Sequence, residues 1–157
     1  MNEPTRARPS EDPVPAPRTR ADYLFFRQIP TRWNDNDVYG HMNNVAYYEM
    51  FDTVINRFLI EEGGLDIFTA ATIGIVPETR CRYRKPLRYP DVLDAALAVA
   101  RLGRTSVTYD IALFRQGEDD AAAEGHFVHV FVNRSDQARA VPIPDQIRAA
   151  LARIARS

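Results

Sequence analysis

The alternation of apolar and polar positions along the chain predicts one long helix among several strands. From Asn43 to about Glu62, apolar residues recur at helical spacing and leave only a narrow polar stripe. A helix that is apolar over most of its surface must be wrapped by other structure. We therefore predict a central helix, with Asn43 or Asn44 as its N-cap and Gly63-Gly64 as its end.

The segments on both sides of this helix favour β-strands. They are rich in β-branched and aromatic residues or alternate between apolar and polar positions, and they cover residues 23–33, 72–88, 92–102, 105–115 and 127–132. A short amphipathic helix is predicted from about Asp145, after two prolines. One long helix combined with successive antiparallel strands indicates the α+β class.

The N-terminal residues differ from the rest of the chain. Residues 1–21 contain five of the eleven prolines and almost no large apolar side chain. Such a segment cannot bury enough surface to offset the entropy that ordering would cost. We predict a disordered tail over residues 1–21 and a single domain over residues 22–157.

Composition and charge narrow the range of functions. Lys and Arg total 20 against 21 for Asp and Glu, a net charge of -1 that gives no reason to expect nucleic acid as a partner. The single cysteine, Cys81, cannot form an internal disulfide and suits a reducing cytoplasm. No apolar run approaches the ~18 residues of a membrane span. We predict a cytoplasmic protein that binds neither nucleic acid nor membrane.

Candidate chemistry is concentrated immediately before the long helix, in the segment Asp35-Asn36-Asp37-Val38-Tyr39-Gly40-His41-Met42-Asn43-Asn44. A helix start offers unpaired N–H groups and a partial positive charge, which suit a developing oxyanion. Asp37 is on a loop that can bring a carboxylate near those donors, whereas Asp35 is expected to form structural turn hydrogen bonds. His41 could orient a water or tune the carboxylate, and Gly40 permits a positive φ where the loop enters the helix.

The same acidic residues resemble a calcium loop only superficially. Asp35, Asp37 and Gly40 occupy its first, third and sixth positions, but Tyr39 is at the fifth and Ala46 is at the twelfth, where a bidentate Glu is required. His126 and His129 are three residues apart on a predicted strand and should face opposite sides. We therefore predict no metal site.

The run from Arg32 to Tyr48 resembles the signature of the 4-hydroxybenzoyl-CoA thioesterase-like hotdog family, in the branch with a D-x-D-x-x-x-H-x-N-N pattern. Three further segments match, and the resemblance covers about residues 24–150: Lys85-Pro86-Leu87 with Asp91, the turn at 102–107, and Val141-Pro142-Ile143-Pro144. It implies the hotdog fold, a long central helix wrapped by a curved antiparallel sheet. It also implies a homodimer or homotetramer with active sites at the dimer interface.

The resemblance also implies roles for residues. Asp37 matches the catalytic carboxylate, either as a nucleophile on the thioester carbonyl or as a base for a water, and His41 matches a histidine that assists it. Gly40, Asn43 and Asn44 fall where the family binds the carbonyl oxygen through a backbone N–H at the helix start. The implied reaction is hydrolysis of acyl-CoA to a free acid and CoA, without a cofactor.

Basic residues after the helix are candidates for binding the phosphates of CoA. Guanidinium groups suit phosphate oxygens well, and the candidates are Arg82, Arg84, Lys85, Arg88 and Arg104. The same charges could instead form a solvated strand face or protect an exposed edge. Two other functions stay open at this stage: a thioesterase for acyl carrier protein, and a non-catalytic acyl-CoA-binding hotdog protein.

Overall fold

The computed structural model describes residues 13–157, which form a six-stranded antiparallel sheet packed against one long helix. The elements are β1 (Phe25–Pro30), α1 (Asn44–Glu61), β2 (Thr72–Tyr83), β3 (Val92–Leu102), β4 (Ser106–Arg115), β5 (Ala123–Asn133), β6 (Asp136–Ala140) and α2 (Asp145–Arg153). The strand order is β1-β3-β4-β5-β2, with β6 beside β5. This α+β arrangement confirms the predicted hotdog class.

The central helix begins and ends close to the predicted residues. The Asn43 side chain caps it by accepting a hydrogen bond from the Val45 N–H at 3.0 Å. Gly64 has a φ of 66°, which a glycine adopts without the strain that a side chain would bring. Eight side chains of α1 are buried against the sheet: Ala46, Tyr47, Met50, Phe51, Val54, Ile55, Phe58 and Leu59.

The sheet has an inner face toward α1 and an outer face away from it. At Gly125 an added Cβ would lie 2.8 Å from the Phe51 ring, so this position of β5 faces the helix. Its cross-strand neighbour Cys81 shares the inner face, while the adjacent Arg82 and Glu124 point outward. Between Glu78 and Tyr83 the pairing with β5 therefore assigns a face to each residue of β2.

Several strands differ from their predicted limits, and one strand was not predicted. Strand β1 covers only Phe25–Pro30 of the predicted 23–33. The predicted strand 72–88 ends at Tyr83, because the amides of Arg84 and Lys85 both turn to the Ala122 carbonyl. Strand β5 starts at Ala123, before the predicted start at residue 127. The prediction began too late because the small residues at the start of this strand are not β-favouring. All of β6 was missed because its five residues are exposed and show no alternation.

The end of the predicted tail packs on the outer face of the sheet. The Arg18 amide donates to Glu124 at 2.7 Å, Arg20 pairs with Asp94 at 2.8 Å, and the Pro15 carbonyl accepts from Arg84 at 2.7 Å. This departure from the prediction has an electrostatic cause, because the arginines find acidic partners on distant strands. The disorder predicted for residues 1–12 lies outside the described residues. In residues 13–157, no helix combines the length and apolarity needed to cross a membrane.

Candidate active site

Residues 35–43 form a narrow hairpin, here called the hairpin loop, which delivers the chain to the start of α1. The Asn43 amide donates to the Asp35 carbonyl at 2.7 Å, and the Asp37 amide donates to the His41 carbonyl at 2.9 Å. Gly40 turns the tip with a φ of 82°. Glycine accepts that conformation without strain, so the tip can close over few residues.

The base of the hairpin loop is anchored by Asp35, whose side chain is only 3% exposed. Its carboxylate accepts from the Arg32 amide at 2.6 Å and from the Arg32 guanidinium at 2.9 Å. The same guanidinium reaches Glu49 on α1 at 2.9 Å. Asp35 thus has the structural role that the sequence indicated, joining the loop to the helix.

Asp37 lies at the tip, half-buried between exposed neighbours. Its Oδ1 accepts a hydrogen bond from the Tyr39 amide at 2.8 Å. Within residues 13–157, its Oδ2 has no hydrogen-bond donor. Val38 and Tyr39 are 94% and 84% exposed. One carboxylate oxygen is therefore fixed by the loop, and the other is available to a ligand or water.

The first turn of α1 offers one unused backbone donor. The Asn43 side chain satisfies the Val45 amide, and the Asn43 carbonyl accepts from the Ala46 amide at 2.9 Å. The Asn44 amide has no acceptor among the described residues. Since the helix dipole adds partial positive charge here, this N–H suits a developing negative oxygen.

A cleft of about 300 Å³ lies at the start of α1, and it is lined by His41, Met42, Asn44, Tyr47, Tyr83, Arg84, Lys85 and Pro86. The rings of Tyr47 and Tyr83 meet edge to face, with centroids 4.9 Å apart. Burial raises the pKa of both phenols, so they remain neutral hydrogen-bond donors. Asp37 is not among the residues that line this cleft.

Cys81 lies next to this aromatic pair on the inner face of β2. Burial raises the pKa of its thiol to about 11. A thiol with such a pKa is protonated at neutral pH and is a poor nucleophile. This agrees with the absence of a nucleophile motif around Cys81 in the sequence.

The structure brings together only part of the predicted set. His41 and Asn44 share the cleft with Arg84 and Lys85, which are paired with Glu124 at 2.9 Å and Glu118 at 3.1 Å. The cleft does not include Arg82, which points to the outer face, or Arg88 and Arg104, which are exposed on other loops.

The sequence-based prediction missed four cleft residues: Met42, Tyr47, Tyr83 and Pro86. Tyr47 is one of the apolar positions of the predicted helix, and Tyr83 lies within the predicted strand 72–88, so neither stood out as a site residue. The sequence did contain one signal for Tyr47, which is an aromatic residue about one turn into the helix after Asn43-Asn44. Its partner Tyr83 on β2 could not be predicted, because long-range packing brings the two together.

The fold and the hairpin loop define a class of protein, and residues 31–151 match the family described as the thioesterase-like superfamily. The chain belongs to that family. It is 50% identical to the PA5185 protein of Pseudomonas aeruginosa strain PAO1, over 91% of this chain and 99% of that one, with a TM-score of 0.88. The PA2801 protein of Pseudomonas aeruginosa, described as a candidate thioesterase, is 34% identical over 82% of this chain and 98% of that one, with a TM-score of 0.75.

A more distant structure shares the fold. The BH1999 gentisyl-coenzyme A thioesterase is 22% identical over 81% of this chain and 99% of that one, with a TM-score of 0.71.

Proposed function

We propose that this protein hydrolyses acyl-CoA thioesters to a free carboxylic acid and CoA. The observation that carries the proposal is the unused backbone amide of Asn44 at the helix start, since Asn44 lines the same cleft as His41. Membership of the thioesterase-like superfamily supports thioester hydrolysis, and the name of BH1999 gives a coenzyme A thioester as the substrate of one protein with this fold.

In this proposal the thioester carbonyl oxygen accepts a hydrogen bond from the Asn44 amide. The negative charge that develops on this oxygen is then stabilised by the donor and by the helix dipole. One such donor contributes about 3 kcal/mol to transition-state stabilisation, or ~100-fold in rate. Asn43 contributes as the helix cap, and Gly40 by shaping the loop that delivers the chain to this point.

Asp37 supplies the carboxylate. As a base, it takes a proton from a water whose oxygen attacks the carbonyl carbon; as a nucleophile, it attacks that carbon itself and water cleaves the resulting anhydride. In both routes the C–S bond breaks and the CoA thiolate leaves, gaining a proton. Because Asp37 is at the exposed tip and outside the cleft of its own protomer, we infer that a second copy completes the site.

The exposed edge of β2 supports a homo-oligomer. This strand has twelve residues and forms one edge of the sheet, with its other side paired to β5. A long exposed edge is a template for strand pairing with another chain. Val76 and Tyr83 are 45% and 44% exposed along it. Pairing of two such edges would bring the Tyr83 end of the cleft next to the second copy.

Phosphate binding in this proposal is assigned to basic residues around the cleft. Arg84 and Lys85 are already in place, and the exposed Arg88 and Arg104 are free to reach a ligand from the same or the second copy. Lys85 has one acidic partner, so its remaining N–H groups can still donate to phosphate oxygens. Arg84 already donates to both Glu124 and the Pro15 carbonyl, so it contributes mainly its charge.

A thiol-release assay tests the function. Aliphatic and aryl acyl-CoA thioesters are supplied as a panel, and one acyl group is also presented on acyl carrier protein. We expect turnover of the CoA thioesters and at least tenfold lower kcat/KM for the carrier-linked form. Thermal stabilisation by acyl-CoA without thiol release would instead identify a non-catalytic binding protein, and faster release from the carrier would identify a carrier-protein thioesterase.

A further inference from the structure

A second cavity, of about 280 Å³, lies on the outer face of the sheet, opposite to the helix. Its walls include Arg80 and Arg82 of β2, His126 of β5, and Arg18 from the N-terminal segment. In the sheet register Arg80 faces His126 and Arg82 faces Glu124, so the cationic side chains share one surface. Arg18 closes this surface from above.

The two acidic residues of the cavity are already neutralised. Asp110 is paired with Arg18 at 3.3 Å and also with Arg156. Glu124 accepts from the Arg84 guanidinium at 2.9 Å and from the Arg18 amide at 2.7 Å. The negative charges of Asp110 and Glu124 are therefore balanced by other groups and not by Arg80 and Arg82.

The cavity retains an excess of unused donors. Among residues 13–157, neither Arg80 nor Arg82 has an ion-pair or hydrogen-bond partner for its guanidinium. Arg84 and Arg156, which hold the two acids, do not themselves line the cavity. His126 is at the rim with its Nε2 3.1 Å from Glu78. The exposed guanidinium groups of Arg80 and Arg82 are therefore available to an anionic ligand.

We propose that this cavity binds a phosphate group. Two neighbouring guanidinium forks match the oxygens of a phosphate, and their charge is not cancelled by the local acids. The volume also far exceeds the roughly 30 Å³ of one water, so it accommodates a hydrated dianion. This assignment is additional to the proposed hydrolysis, because the cavity and the cleft lie on opposite faces of β2.

The phosphate has two sources with the same chemistry. One source is the substrate. Arg82 lines the cavity and is adjacent to Tyr83, which lines the cleft, so a substrate held in the cleft could extend around the β2 edge and place a phosphate in the cavity. A free phosphate compound could equally enter the cavity from solvent as an effector. Binding of phosphate itself is common to both.

Isothermal titration calorimetry with inorganic phosphate and with pyrophosphate tests the site. The wild-type protein is compared with an Arg80→Gln/Arg82→Gln double variant, with Arg18→Gln as an independent variant. Arg101→Gln, which removes an exposed arginine that does not line the cavity, is the matched control. We expect the double variant to bind phosphate at least ~10-fold more weakly, because each of its two substitutions removes charge-assisted hydrogen bonds. Phosphate binding by the control should be unchanged.

Two results overturn the proposal: no phosphate binding by the wild-type protein, or equal binding by the wild type and the double variant with an unchanged melting temperature. Neither depends on catalysis, so they are distinguishable from failure of the proposed hydrolysis.

The source of the bound phosphate group is assigned by comparing the KM of two substrates with the same acyl group. One is the acyl-CoA, and the other is the N-acetylcysteamine thioester, a substrate without phosphate. A KM raised only for the CoA thioester in the double variant assigns the site to the substrate. A phosphate-binding loss with both KM values unchanged assigns it to a free phosphate compound.

Discussion

At the residue scale, two neighbouring acids of the hairpin loop have different surroundings. Asp35 is buried, and both of its carboxylate oxygens accept hydrogen bonds from Arg32. Asp37 is half-buried, and one of its carboxylate oxygens has no hydrogen-bond donor among the described residues. Burial and hydrogen bonding thus separate a structural carboxylate from a candidate reactive one. The sequence places the two acids two residues apart, and it predicted a structural role for Asp35 and a catalytic one for Asp37.

Asp37→Asn tests the proposed reactive carboxylate. The amide oxygen can still accept from the Tyr39 amide, so we expect the fold and the melting temperature to be retained. Loss of general-base or nucleophilic chemistry should lower kcat by at least ~100-fold. Steady-state thiol release measures this, with Asp136→Asn on the exposed β6 as the control. Turnover at the wild-type rate would remove Asp37 from the mechanism.

His129 is a second residue with a measurable consequence. It is 3% exposed among the rings of Tyr109, Phe127 and Phe131, and burial lowers its pKa from 6.5 to about 4. Between these two pH values the unfolded chain binds a proton that the folded chain does not. The free energy of unfolding should therefore fall as pH decreases through this window, by roughly 3 kcal/mol from this group.

Chemical denaturation at pH 7 and pH 4.5 checks the assignment. His129→Leu should flatten the pH dependence relative to the wild type. Parallel loss of stability in the wild type and His129→Leu would show that other groups account for the acid sensitivity.

At the element scale, the start of α1 is the feature that links fold to chemistry. The sequence predicted the helix and its Asn43 cap correctly because helical periodicity and capping are local properties. It could not predict the pairing of Tyr47 with Tyr83, the anchoring of Arg32 to Glu49, or the arginines of the N-terminal segment on the sheet, since these join segments far apart in the chain. The opposite faces predicted for His126 and His129 are confirmed, because strand alternation is also local.

Asn44→Pro removes the proposed oxyanion donor while leaving the helix intact. Proline is tolerated at the first helical position, and the preceding Asn43 has a φ of -59° and a ψ of 141°, which suit a residue before proline. We expect kcat to fall by ~100-fold, the effect of losing one such donor. Asn44→Ala keeps the amide and should retain most activity. Equal activity in the two variants would assign the oxyanion site elsewhere.

At the scale of the whole molecule, the two faces of the sheet carry different features. The inner face holds the core and the cleft, and the outer face is covered by the N-terminal segment, with Tyr23 packed edge to face on Phe114 at 6.0 Å. The β2 edge lies between them and is the exposed route to a second copy. The proposed active site depends on this edge, because Asp37 is outside the cleft of its own protomer.

Lysines on the β2 edge should therefore affect assembly and activity together. Val76→Lys/Thr79→Lys places two charges where strand pairing is proposed, and exposed charges oppose edge-to-edge association. We expect a shift to monomer in sedimentation velocity and a loss of thiol release. Leu24→Lys, at another exposed apolar position, is the control. A variant that remains oligomeric and active would place the interface elsewhere.

The half-buried Cys81 has a practical consequence for spectroscopy. It is the only sulfhydryl in the chain, and its high pKa makes it slow to react with aromatic disulfide reagents at neutral pH. Colour from such a reagent then reports released CoA against a low protein background. On denaturation the same position yields one equivalent of thiol per chain, an internal calibration for the fraction of molecules that are folded.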